Sequence, residues 1–343
     1  MSDKVARLEL AEISGVLSDD FLANPALEFI HISHKQHPVA SENLLHIARK
    51  NDSLRHVIAR LSTHGFHLYA LRDGVSSYVR HGRIRTLWNK VVSRTYEIDE
   101  NGIVYTFTPA PLKSSDPKLL VVFSSIAASM YNASLNRYFE QNFKSINKYV
   151  PEDTAVLRIA DIGGVLGAFY LDTNHLPDNE RNIQALIGRV VDQHGIDRVR
   201  TTFYGVSKGG TGALYHAILG GYNAVVVDPI VSDAHYVEKY NDLHFTRWVH
   251  PQEKQSRFNE LALRRDLNPS RVAVVYSRRS PQYPYINDIV VEGFGGAVSF
   301  FDSDNPRIKK HPDVGPATIN STVMLINMTL YGLDLPQGRR TII

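Results

Sequence analysis

Three side chains along this 343-residue chain have the types and order for acyl transfer: Ser207, Asp228 and His311. A serine hydroxyl is a poor nucleophile at neutral pH and needs a base within hydrogen-bond reach. The base in turn needs an acceptor that fixes its tautomer and stabilises the imidazolium. Ser207 lies in Phe203-Tyr204-Gly205-Val206-Ser207-Lys208-Gly209-Gly210-Thr211-Gly212, which contains Gly-x-Ser-x-Gly. The bare five-residue pattern is common, and it equally suits a glycine-rich turn cradling an anion at a helix N-terminus. Its surroundings favour the nucleophile. Val199 to Tyr204 is rich in β-formers, and Ala213 to Leu219 reads as a helix stopping at Gly220-Gly221. Strand, Gly-x-Ser-x-Gly and helix together form a nucleophile elbow, with small residues two before and two after the serine so that strand and helix can approach closely.

His311 is the expected base, in Arg307-Ile308-Lys309-Lys310-His311-Pro312-Asp313-Val314-Gly315 between a strand and the last helix. The alternative is a surface histidine in a basic loop. His216 is on the elbow helix, and His235, His244 and His250 fall in a later excursion, where His244 and His250 are candidate substrate contacts. The loop after Tyr276 reads Ser277-Arg278-Arg279-Ser280-Pro281-Gln282-Tyr283 and holds no carboxylate. Asp228, which ends the preceding strand, is therefore the expected acid, with Asp302, Asp304 and Asp288 as alternatives and a turn cap as its structural reading. The oxyanion hole should use the N–H of Lys208 and a second N–H at Ser125 or its neighbour Ser124. The Lys208 side chain suits either an anionic substrate, such as a phosphate-linked or acidic glycan, or a solvated charge. Asp161, beside Gly163-Gly164, suits either substrate binding or an Asx-turn.

The elements that must hold these groups alternate. Leu119 to Phe123, Ala155 to Ala160, Val199 to Tyr204, Ala224 to Val227, Arg271 to Tyr276 and Ala297 to Phe301 are short apolar runs, as expected of strands buried on both faces. Helices are expected around Asn136 to Phe143, at Asn182 to His194, after the elbow, and at Thr318 to Tyr331. Asn101-Gly102 between two alternating runs predicts a hairpin. The fold class is α/β: an α/β-hydrolase-like, doubly wound, mostly parallel sheet over residues 93–343, with a lid-like excursion at 231–265. Ligands should bind at the carboxyl ends of its strands. Residues 1–92 read as a small N-terminal α+β appendage, with helical spacing at Leu44 to Arg49 and Leu54 to Leu61 and a strand at Gly65 to Leu71 ending in the turn signal Asp73-Gly74.

Composition excludes several classes. There is no cysteine, which removes disulfides, thiolate metal sites and a cysteine nucleophile. A net charge of +3 is too small to argue for nucleic acid. His31, His34 and His37 have no fourth ligand at useful spacing, so no metal is expected. Neither a secretory signal after Met1-Ser2-Asp3 nor a transmembrane run is visible, and the expected location is cytoplasmic or peripheral to the inner face of the membrane.

Three blocks carry a resemblance to a known family. Tyr204 to Tyr215, Ala160 to Leu171 and His311-Pro312-Asp313-Val314-Gly315 resemble blocks of the XcbB/CpsF-type capsular polysaccharide biosynthesis proteins, over about residues 95 to 332. The resemblance implies a part in capsule or surface-glycan synthesis, with Ser207 and His311 as the carried-over residues. On this reading Ser207 takes an acyl group from a donor, with acetyl-coenzyme A as the candidate and no bound cofactor, and passes it to a capsular glycan or its precursor. An esterase or glycan deacetylase would use the same residues. A non-catalytic assembly component that binds a glycan or a capsule glycosyltransferase is the alternative of another class.

Overall fold

The computed structural model describes residues 4–264, 271–294, 297–336 and 338–342. Met1, Ser2 and Asp3 of the expected appendage, and the last residue of the 231–265 excursion, lie outside the described residues. Among those described, two sheets form.

The smaller sheet contains β1 (Val5–Glu9), β2 (Phe29–Ser33), β3 (Phe66–Arg72) and β4 (Val75–Arg80), in the order β1-β2-β4-β3. β3 and β4 form a hairpin over Asp73-Gly74, both of them left-handed, as a two-residue turn matching strand twist requires. Helices Leu44–Ala48 and Asp52–Thr63 cover one face, packing Leu45, Leu54, Ile58 and Leu61 against Ile30, Ile32 and Leu68. The expected helices and β3 are present. β1, β2 and β4 escaped sequence reading because they are short and mix polar with apolar residues on a sheet covered unevenly.

The larger sheet has nine strands: β5 (Glu97–Ile98), β6 (Val104–Thr108), β7 (Lys118–Phe123), β8 (Thr154–Ile159), β9 (Thr201–Val206), β10 (Asn223–Val227), β11 (Val272–Tyr276), β12 (Val298–Ser303) and β13 (Arg339–Ile342). Their order is β13-β12-β11-β10-β9-β7-β8-β6-β5, parallel from β13 to β8 and antiparallel at β6 and β5. Alternation along each central strand feeds two cores. Leu119, Val121 and Phe123 of β7 face helices Asn179–Gln193, Lys208–Gly220 and Lys254–Leu263. Leu120 and Val122 face helix Ile319–Leu330 through Leu325, Ile326 and Leu330. Both faces are covered, which is why these strands read as continuous apolar runs. An elbow after a central strand of such a sheet is the α/β-hydrolase arrangement. The chain adds β8 on one side of β7 and β9 on the other, so the order reverses there and opens a crevice at the strands' carboxyl ends.

Two expectations need correction. The helix expected over Asn136 to Phe143 is only a 3-10 turn, Leu135–Tyr138. Arg137 is buried there and donates to the carbonyls of Leu68 and Val165, which holds the segment as a bridge between the two sheets. β13 was not expected: its exposed sequence Arg339-Arg340-Thr341-Ile342 has no apolar run, and it pairs only as an edge. No helix of the described residues is long and apolar enough to cross a membrane.

Candidate active site

Register brings the reactive residues together. Val206 of β9 is opposite Val227 of β10, so Ser207 and Asp228 leave the sheet side by side at its carboxyl edge. Both then adopt positive φ, 57° for Ser207 and 45° for Asp228. Such a conformation costs a non-glycine residue on the order of 1–3 kcal/mol and persists only where the surroundings impose it. Here they do. The Ser207 N–H is tied to Val227 O at 2.9 Å, and helix Lys208–Gly220 starts one residue later. The glycines are obligatory: a Cβ on Gly205 would lie 2.0 Å from Gly209 O, and one on Gly209 would lie 2.3 Å from Phe123 O.

His311 Nε2 lies 2.7 Å from Ser207 Oγ, and its Nδ1 lies 2.6 Å from Asp228 Oδ2. A carboxylate only accepts, so the ring hydrogen sits on Nδ1 and Nε2 is free to accept from the serine hydroxyl. His311 is not in a loop, as expected, but is the first residue of helix His311–Ala317, where Asp313 accepts from the Lys309 and Lys310 N–H groups and fixes the helix start. Asp228 is fully buried. Ser280 donates to the same Oδ2 at 2.5 Å, while Oδ1 is enclosed without a partner among the described residues. The alternative acids are engaged elsewhere: Asp302 with Arg278, Asp304 with Arg279, and Asp288 with Asn287.

The Lys208 N–H opens the elbow helix, whose first turn has no intrahelical acceptors for its N–H groups. The second expected donor is differently placed. Ser125 N–H is directed at Asn142 Oδ1 at 3.3 Å, which also takes the Ser125 hydroxyl at 2.9 Å. Ser124 N–H is taken by the Tyr170 hydroxyl. Ser125 as an open oxyanion donor is therefore corrected: its N–H already has an acceptor.

Lys208 and Asp161 also need correction as substrate-binding groups. Their side chains are 0% and 1% exposed and form an ion pair of 2.8 Å, which leaves no path to a substrate in the cleft. Asp161 further accepts from the N–H groups of Ala168, Phe169 and Tyr170 at 3.0–3.1 Å. It thereby holds Phe169 and Tyr170 at positive φ, 55° and 63°. A Cβ on Gly167 would lie 2.3 Å from Asp161 Oδ2 and 2.5 Å from Lys208 Nζ, so glycine there closes the loop over the pair. The pair clamps the elbow helix to the loop after β8. Neither part of this was legible locally, because the partners are 47 residues apart with no shared motif.

His216 is buried and structural: its Nε2 donates to Tyr170 O at 2.8 Å, and Gln184 bonds its Nδ1 at 3.0 Å. In the excursion, Lys254 is buried against Asp233 at 2.5 Å, with its Nζ 3.6 Å from the Phe169 ring centre. Phe169, Ile230 and Tyr236 form a small apolar cluster with Ile126 and Leu243 between the loops that carry Ser125 and Asp228. The His244 ring lies 4.1 Å from Tyr236, and burial, with Lys254 nearby, pushes its pKa down to about 3. His31 and His34 bond Ser77 and Ser76 of the smaller sheet.

No family model matches the chain, and no curated protein matches it. Solved structures of similar course exist. The capsule O-acetyltransferase of Neisseria meningitidis serogroup A is 14% identical, with a TM-score of 0.47 over 67% of this chain and 93% of that one. An S-formylglutathione hydrolase from Agrobacterium tumefaciens is 14% identical, with a TM-score of 0.45 over 69% of this chain and 94% of that one. FphF, a fluorophosphonate-binding serine hydrolase of Staphylococcus aureus, is 15% identical, with a TM-score of 0.48 over 68% of this chain and 96% of that one.

Proposed function

We propose that the protein is a serine-dependent acyltransferase that moves an acyl group, acetyl from acetyl-coenzyme A, to a hydroxyl of a capsular or other cell-surface glycan. The observation that carries the chemistry is the relay of Ser207 Oγ to His311 Nε2 at 2.7 Å and His311 Nδ1 to Asp228 Oδ2 at 2.6 Å, mounted on a strained elbow. The glycan and the capsule pathway rest on the sequence blocks around Ser207, Asp161 and His311.

In the first half-reaction His311 Nε2 takes the Ser207 proton as Oγ attacks the thioester carbonyl. Asp228 stabilises the imidazolium, and the Lys208 N–H faces the developing oxyanion. The thiolate leaves with the proton from His311. In the second half-reaction the neutral imidazole takes a proton from the acceptor hydroxyl, whose oxygen attacks the acyl-serine, and Ser207 Oγ leaves with that proton.

The test is acetyl transfer from acetyl-coenzyme A to purified capsular oligosaccharide, wild type against Ser207→Ala. Serine-dependent transfer is expected. Serine-dependent release of acetate from an acetylated glycan, without transfer, would make the protein an esterase with the same residues. Neither activity, together with no fluorophosphonate labelling of Ser207, would leave a binding component of capsule assembly.

A further inference from the structure

A groove of about 410 Å³ runs along the excursion, lined by Asp233, Glu238, Arg247, Trp248, Gln252, Glu253 and Gln255 among others. That volume lies within the roughly 300–1,000 Å³ of ordinary ligand clefts. Trp248 is the unusual residue. The chain has two tryptophans: Trp88 is 5% exposed, and Trp248 is 50% exposed. Trp248 also sits at φ 64°, a conformation that bulky residues avoid.

The surroundings impose this pose. Asp242 accepts from the N–H groups of Thr246 and Arg247, and Asn174 donates to the Trp248 carbonyl at 2.7 Å. His56, from helix Asp52–Thr63, lies edge-on to the indole with ring centres 5.0 Å apart. Backbone strain and buttressing are thus combined to keep a large apolar ring half in water, the pattern that points to a binding surface rather than to a core.

The groove's chemistry narrows the ligand. Among the described residues, the side chains of Glu238, Arg247, Gln252, Glu253 and Gln255 make no bond within the protein, so their hydrogen-bonding capacity is turned outward. They include planar amides and carboxylates that pair with vicinal hydroxyls, beside an aromatic face that suits the C–H face of a pyranose ring. Two unpaired carboxylates, Glu238 and Glu253, against one arginine disfavour a polyanion. His250 also lines the groove, and its Nε2 is enclosed without a partner among the described residues.

We propose that this groove is a sugar-binding subsite, in which Trp248 stacks on one ring of a neutral, hydroxyl-rich oligosaccharide. A substrate of this class deepens the acyl-transfer reading and rests on it only for the chemistry after binding. The groove's Asp233 is paired with Lys254, which lies over Phe169 beside the reactive loops. An acceptor held there is bound to the excursion that follows Asp228 in the chain.

The test uses full-length Ser207→Ala protein, so that no chemistry intervenes, and reads Trp248 emission on titration with chitotetraose and maltotetraose, with dextran sulfate as the anionic comparison. A saturable change below roughly 1 mM with a neutral tetrasaccharide is expected, with dextran sulfate about tenfold weaker. By calorimetry, Trp248→Ala should lose that binding. Gln255→Ala, on an exposed wall, should weaken it severalfold with emission retained, which guards against a misfolded tryptophan variant. No response to either tetrasaccharide, equal response to dextran sulfate, or undiminished binding by both variants overturns the proposal. Saturable binding by a protein that proves unable to transfer acyl groups would instead remove the proposed reaction and leave the subsite standing.

Discussion

Ser280 and His311 share one acceptor: Ser280 Oγ lies 2.5 Å, and His311 Nδ1 2.6 Å, from Oδ2 of Asp228. The acid thus comes from the loop after β10, and the loop after β11 contributes a hydroxyl that orients it. The two loops are neighbours because Val227 is opposite Val275 in the sheet.

Asp228→Asn should keep the geometry and lower kcat by a factor on the order of 10⁴, because the amide no longer selects the reactive tautomer. Ser280→Ala should cost much less, about ten- to a hundredfold, in line with loss of one hydrogen bond to a charged group, about 1.5–3 kcal/mol. Turnover of p-nitrophenyl acetate measures both. Equal losses for the two variants would refute the assignment of Ser280 as an orienting group.

Gly205→Ala and Gly209→Ala should each destabilise the fold by about 3 kcal/mol or more, since the new methyl meets backbone oxygen rather than a side chain that can move. Urea denaturation reads the change. Gly188→Ala has nothing within 4 Å of its Cβ and serves as the tolerated comparison.

Removing one member of the buried Lys208–Asp161 pair strands the other, so Lys208→Met and Asp161→Asn should each cost about 3–5 kcal/mol. The double variant should cost clearly less than the sum, and a double-mutant cycle in urea gives the coupling. Additive losses would show that the two charges do not compensate each other.

Acid should loosen the junction between the two sheets. His67, His81 and His175 meet there: His67 Nε2 lies 3.1 Å from His81 Nδ1, and the His81 and His175 rings are 5.4 Å apart. Burial first holds all three below the ordinary histidine pKa; repulsion from the neighbouring rings and Arg137 adds to it at His67, His175 and Arg85 add to it at His81, which sits at about 4, and Arg80 and His64 add to it at His175. The unfolded chain therefore binds more protons than the folded one as pH falls below about 6.5, and stability declines between there and about pH 4. The loss from pH 7 to pH 5 should be on the order of 1 kcal/mol or more for His81. Urea midpoints across that range measure it, and His81→Gln should flatten the slope. A midpoint that does not change with pH would show that these rings stay accessible to protons in the folded state.

The elbow and the strand pattern were legible in the residues themselves. Gly205 and Ser207 declare a tight strand-to-helix turn because their requirements are local, an absent methyl group that would meet Gly209 O and a positive φ, while Gly209 is needed for close approach to Phe123 of β7. The central strands declare themselves because burial on both faces leaves only apolar residues. The candidate base and acid followed from loop order in the assumed fold, and sheet register is what brings Asp228 beside Ser207.

The rest depended on contacts between distant parts of the chain. Lys208 reads the same in sequence whether it faces solvent or a carboxylate, and only packing of the loop after β8 turned it inward onto Asp161. Ser125 lost its open N–H to Asn142, and Ser280 became an orienting group, through partners 17 and 52 residues away. Hydrogen bonds and ion pairs of this kind have no periodicity, because they are set by where folded elements meet. Periodicity and turn chemistry therefore specify the scaffold and the nucleophile, while the fate of each charged or polar side chain around them is decided by tertiary burial.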